Sequence, residues 1–148
     1  MDKNKEPGIG FESISLVEEI FHREKKVPKV LNISLKLESR IYNIEKQYFN
    51  ELSVFVKGSD EEGNEALKLE FMFVGRFSTL EGSENMEIDK FMQENSSALM
   101  YPYIREHISL ITQKAGVAPV LLPPMNVQAA LKRNESNKLN AQKDLEAK

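Results

Sequence analysis

Apolar and polar residues alternate along the first half of the chain and recur at helical spacing along the second. Leu31, Ile33, Leu35 and Leu37 point one way while Asn32, Ser34, Lys36 and Glu38 point the other. A period of two with one apolar face predicts a half-buried strand. Leu52, Val54 and Val56 repeat the pattern, and so do Leu67, Leu69, Phe71 and Phe73. Between those two runs lies Gly58-Ser59-Asp60-Glu61-Glu62-Gly63-Asn64, a polar, glycine-bounded reversal, so the pair reads as an antiparallel hairpin. An earlier strand starts at Ile14 and continues through Leu16 to Ile20. Its alternation breaks near Val17-Glu18, which predicts a bulge or an irregular first strand. In residues 39–51, Tyr42, Ile44, Tyr48 and Phe49 fit an extension of either neighbouring strand.

After Gly82 the period changes. Met86, Ile88, Phe91 and Met92 mark a short helical or irregular segment, and Asn95-Ser96-Ser97 offers N-cap residues for a second helix. Met100, Ile104, Ile108 and Ile111 predict that helix to be long and to stop at Ala115-Gly116, with Pro102 in its first two turns. Val117-Ala118-Pro119-Val120-Leu121-Leu122-Pro123-Pro124 is apolar but held extended by prolines, and Asn126 is placed to cap a last short helix through Leu131. Strands precede helices without βαβ alternation. This predicts an α+β domain over residues 11–131, an antiparallel sheet with helices packed on one side. Residues 1–10 read as a flexible arm and 132–148 as a polar tail.

Composition narrows the function more than the fold. The 148 residues are 41% hydrophobic and 29% charged, as expected of a globular domain. A net charge of −3 gives no support to nucleic-acid binding. Cysteine is absent, and with it any disulfide or thiolate chemistry. No apolar leader opens the chain and no apolar run is long enough to insert in a membrane, so a cytoplasmic location is expected.

No phosphate loop follows a strand, and no cofactor motif is present. Gly8-Ile9-Gly10 precedes the first strand and carries no such meaning. His22 and His107 lack partners at metal-ligand spacing and read as surface or structural histidines. The Asp60–Glu65 run lacks the oxygen pattern of a calcium loop. Glu18 and Glu19 are strand neighbours that face opposite ways, so they form no carboxylate pair. An enzyme is therefore not expected, and neither a metal nor a cofactor.

Surplus apolar surface is what remains. Once sheet and main helix cover one another, residues 117–122, Met125 and the Met86, Phe91 and Met92 group still need cover. They either close the core, or serve a partner, or are covered by self-association. Methionine and phenylalanine make adaptable surfaces that suit polypeptide binding.

Met100-Tyr101-Pro102-Tyr103-Ile104-Arg105-Glu106 resembles the Phe-Pro-Tyr-Ala-Arg-Glu segment of the SecB family of export chaperones. Leu122-Pro123-Pro124-Met125-Asn126-Val127 is similar to that family's Leu-Ala-Pro-Val-Asn-Phe, and Gly75-Arg76-Phe77-Ser78 to its Gly-Ile-Phe-Ser. The order and spacing agree over residues 12–131. The resemblance implies a four-stranded antiparallel sheet with one long and one shorter helix, assembled as a homotetramer, a dimer of dimers. It also implies an ATP-independent holdase that binds unfolded preproteins in apolar grooves for export, with Phe91, Met92, Leu121, Leu122 and Met125 as groove candidates.

Glu19 matches one of the family's acidic positions for docking the translocase motor, but Arg23 stands at the other. The segment from Arg23 to Lys29 is shorter than the family's crossover loop and lacks its tryptophan. The tail, with five basic and three acidic residues, is not acidic as the family's often is. These departures point toward a narrower alternative, a SecB-like chaperone dedicated to one partner such as an antitoxin. A carrier of a small apolar ligand enclosed between helix and sheet is the alternative from another class.

Overall fold

The computed structural model describes residues 8–79 and 87–131. Four strands, β1 (Ile9–Arg23), β2 (Asn32–Ile44), β3 (Gln47–Ser59) and β4 (Glu65–Thr79), form one antiparallel sheet in the order β1-β4-β3-β2. A helical stretch comes next: α1 (Ile88–Phe91), a π-helical turn Met92–Ser96, and α2 (Ser97–Lys114). Residues 127–131 form a last short helix, α3. The architecture is the α+β arrangement expected. Residues 1–7, Met86 and the tail lie outside the described residues, and β1 begins at Ile9, inside the segment read as an arm.

Register explains which side chains reach the helix. Leu37 pairs with Val54, Leu35 with Val56, Val54 with Phe71, and Leu52 with Phe73, so the apolar alternations of three strands share one face. β1 joins them only because it is bulged. Its register shifts between Phe11 and Ser13 and again between Leu16 and Glu18, the second where the alternation breaks in the sequence. On the helical side Met100, Ile104, Ile108 and Thr112 recur at four-residue spacing and are fully buried. They meet Leu52, Val54, Leu69 and Phe77, also fully buried, so the helix–sheet interface is filled by side chains.

The ambiguous residues 39–51 are the β2–β3 hairpin. Glu45 (φ 48°) and Lys46 (φ 67°) make a two-residue reversal between paired Ile44 and Gln47. Two left-handed residues in succession fit the twist of the strands, but glutamate and lysine are poor occupants of that conformation, which hid the turn. Replacing them with Asn-Gly is expected to stabilise the fold by about 1 kcal/mol, read as a higher urea midpoint at constant slope.

The β3–β4 reversal is the one expected. Asp60 Oδ1 accepts from the backbone N–H groups of Glu62 and Asn64, and Gly63 takes φ 88°. The bond from the Asn64 backbone leads in holding the Asp60 carboxyl below its ordinary value.

The expected cap at Asn95-Ser96-Ser97 is not formed. Ser96 is helical (φ −61°, ψ −43°), the helix starts at Ile88, and Pro102 consequently sits in its interior. The two serines turn inward to the buried Asn50 of β3, whose Nδ2 donates to Ser96 Oγ at 2.8 Å and to Ser97 Oγ at 2.9 Å. Ser39 Oγ donates to Asn50 Oδ1 at 2.8 Å, and Ser96 Oγ to the Met92 carbonyl at 2.6 Å. A buried polar cluster with its partners supplied costs little, and here it ties the wide π turn to the two strands below.

The other helix ends agree with the sequence. Gly116 (φ 74°) closes α2, its N–H bonding the Gln113 carbonyl while that of Val117 bonds Thr112. Asn126 Oδ1 accepts from Ala129 N–H at 3.0 Å and caps α3.

Candidate client-binding site

Between Gly116 and Asn126 the chain forms a strap that runs back along α2. Val120 N–H donates to Thr112 Oγ1 (3.0 Å), Arg105 Nε to the Leu122 carbonyl (2.9 Å) and Tyr101 OH to the Pro123 carbonyl (2.9 Å). Thr112 Oγ1 in turn donates to the Ile108 carbonyl at 2.9 Å. Positions 101, 105, 108 and 112 are neighbours on one stripe of a helix, which is why one side of α2 reaches the strap along its length. Burial pushes the Tyr101 phenol above its ordinary value, with Arg105 opposing, so the hydroxyl stays a donor.

Prolines at 119, 123 and 124 keep the strap from joining the sheet, since each lacks an N–H. Val120 is buried, Leu122 and Met125 rest partly buried on the core, and Leu121 is 76% exposed. Of the groove candidates, then, Leu121 is fully presented and Leu122 and Met125 are half covered. Phe91 and Met92 lie in the core, Phe91 with its ring 6.0 Å from that of Phe77 and Met92 with no exposed surface.

The crossover loop, residues 24–31, carries the chain from one sheet edge to the other. Val30 is 68% exposed there, and Ile33, at the start of the edge strand β2, is 36% exposed. Ile33 pairs with Gly58, Gly58 with Leu67 and Leu67 with Arg23, whose Nη1 donates to the Ala115 carbonyl at the end of α2 (2.6 Å). Val30, Ile33 and the start of the strap therefore share one end of the molecule.

An open cleft of about 450 Å³ beside them is walled by Pro28, Lys29, Val30 and the charged Asp60, Glu61 and Glu62. That lining does not suit a small apolar ligand.

Glu19 and Arg23 are both engaged within the chain. Glu19 Oε1 lies 2.6 Å from His107 Nε2, between α2 and β1, with the Phe71 and Phe73 rings edge-on to the imidazole. Besides Ala115, Arg23 donates to the carbonyls of Glu24 and Lys25, and so joins the crossover loop to the C-terminus of α2, where a cation is favoured.

The model of the family described as preprotein translocase subunit SecB matches residues 8–138. The chain belongs to the SecB family. A relative, uncharacterized protein MJ0357 of Methanocaldococcus jannaschii, is 27% identical over 124 residues, 83% of this chain and 78% of that one. Among solved structures, the fold is similar to the Mycobacterium tuberculosis Rv1957 SecB-like chaperone in complex with a ChAD peptide from the Rv1956 HigA1 antitoxin. The TM-score is 0.69 at 16% identity, over 79% of this chain and 90% of that one.

In this SecB-family chain the sequence motifs mark the right stretches without revealing their contacts. Tyr101 and Arg105 fall inside the helix segment that resembles the family, and their spacing of four is the available signal that they act together. Thr112 and Asn50 give no such signal, because a lone polar residue in an apolar pattern looks the same whether it faces solvent or a buried partner. No helix among the described residues is long and apolar enough to cross a membrane.

Proposed function

We propose that the protein is an ATP-independent holdase that binds non-native polypeptides along the strip between β2 and the strap. The observation that carries this reading is exposed apolar surface in a SecB-family fold, at Val30 and Ile33 by the end where the strap begins and at Leu121 on the strap itself. Extended clients would run beside the start of β2 at Ile33 and place alternate side chains on these residues. Leu121, Leu122 and Met125 contribute from the strap, while the groove candidates Phe91 and Met92 support it from within the core.

The test is aggregation of several unfolded clients at stoichiometric chaperone without nucleotide. Suppression is the expected result, and a protein that leaves every client unprotected sinks the reading. Ile33→Asp with Val30→Asp is expected to raise the Kd for an unfolded client about tenfold or more, measured by anisotropy, with an unchanged circular dichroism spectrum.

A dedicated chaperone is favoured over an export factor by the engagement of both docking candidates. Glu19 is taken by His107 and Arg23 by three carbonyls, which leaves neither free for a translocase motor. Capture of one partner, such as an antitoxin, supports the dedicated form, and capture of many unrelated preproteins supports general export. A homotetramer would cover the unpaired β1 edge with Leu16, Val17 and Ile20 and the outer face of α2 with Leu99, Tyr103 and Leu110, all exposed in the single chain.

A further inference from the structure

The strap is held in an unusual way for a connection that closes a core. Its three hydrogen bonds to α2 all run between helix side chains and strap backbone, at Val120, Leu122 and Pro123. No backbone–backbone bond among the described residues joins residues 118–125 to the rest of the chain; the flanking ones are Val117 to Thr112 and Ala130 to Asn126. The helix thus presents one acceptor, Thr112 Oγ1, and two donors, Arg105 Nε and Tyr101 OH, to an extended chain. Contacts to backbone atoms are indifferent to side-chain identity. Two of the three are made to carbonyls, which proline also carries. A segment held by side-chain bonds, one buried valine and the half-covered Leu122 and Met125, with Leu121 in solvent, belongs to the low-stability end of the fold.

We propose that the strap is a built-in occupant of a backbone-reading ladder on α2, and that an extended segment of a client polypeptide takes its place. This rests on the holdase reading and adds its regulation: the closed strap covers the ladder, and a client must compete with it. Competition with a tethered segment lowers apparent affinity in proportion to the fraction of open strap. It selects clients that offer several extended stretches in one chain over short isolated peptides. Released, the strap remains attached at both ends and presents Leu121 and Leu122 to the client it admits.

Val120→Ser loosens the strap without touching the ladder, and is expected to lower the Kd for an unfolded client about fivefold, by anisotropy. Arg105→Met removes a ladder donor and is expected to raise it in the Val120→Ser background. Hydrogen exchange on the unmodified protein gives an answer that does not depend on a variant folding: client binding is expected to speed exchange at the amide of Val120, the strap N–H that bonds the ladder.

Slower exchange at that amide in the client complex, or weaker client binding by Val120→Ser, would make the strap a fixed wall and overturn the inference while leaving the holdase reading intact. Failure of both chains to bind any client overturns both.

Discussion

Asn50→Ala is expected to cost about 3 kcal/mol of folding stability, read as a lower urea midpoint. The amide is fully buried and makes three hydrogen bonds, to Ser39, Ser96 and Ser97. Alanine removes all three, takes the amide donor from the buried Ser97 hydroxyl while Ser96 keeps only its bond to the Met92 carbonyl, and leaves a small void. Each buried polar group left without a partner costs about 1–3 kcal/mol, and the void adds to it. The effect is also expected to be local. The π turn Met92–Ser96 meets β3 through this cluster, so hydrogen exchange should quicken first across residues 88–97. A loss below about 1 kcal/mol would mean that water takes the place of the amide and that the cluster does not fix the helix on the sheet.

Gly75→Val is expected to destabilise by about 3 kcal/mol, with Gly75→Ala well below that. A Cβ built on Gly75 would lie 2.8 Å from Met100 Sδ and 3.1 Å from Phe77 Cε2. Met100 and Phe77 have no exposed surface, so neither has solvent to move into. A thioether is pliable enough to yield to one methyl group, and alanine also gains in backbone entropy over glycine. Valine adds two further methyl groups against the Phe77 ring edge. Met100→Ala vacates part of the contested space. The two substitutions together should therefore cost less than the sum of each alone, a coupling measurable by denaturation of the four chains. Strict additivity would show that helix and sheet do not approach closely at Gly75.

Both residues show what kind of feature a sequence conceals. In the sequence Gly75 is only part of a strand-end motif, and the position of Met100 above it is what leaves no room for a large side chain. Asn50 lies among residues whose alternation fits two strands, and its partners come from a different strand and from a helix more than forty residues on. Local chemistry, in which a serine before an apolar run caps a helix, points to the wrong role for Ser96 and Ser97. Asn50 captures them instead, because the helical stretch already runs through them from Ile88 and leaves no open end to cap, while the buried amide has two N–H groups to place.

The sequence by itself determined the four strands, the β3–β4 reversal, the break in alternation near Val17-Glu18, the end of α2 at Gly116 and the cap at Asn126. Each is set by period, by glycine or by a side chain bonding its own neighbours, so nothing distant was needed. The resemblance in residues 100–106 and 122–127 likewise lies in contiguous residues, and it sufficed to indicate the SecB family. The tertiary structure alone decided what those residues do. It put Glu19 against His107 and Arg23 against the end of α2, because the order β1-β4-β3-β2 leaves β1 at the edge that α2 overhangs. It also buried Phe91 and Met92 while leaving Leu121 in solvent, three apolar residues alike in sequence and separated only by which of them a packed neighbour covers.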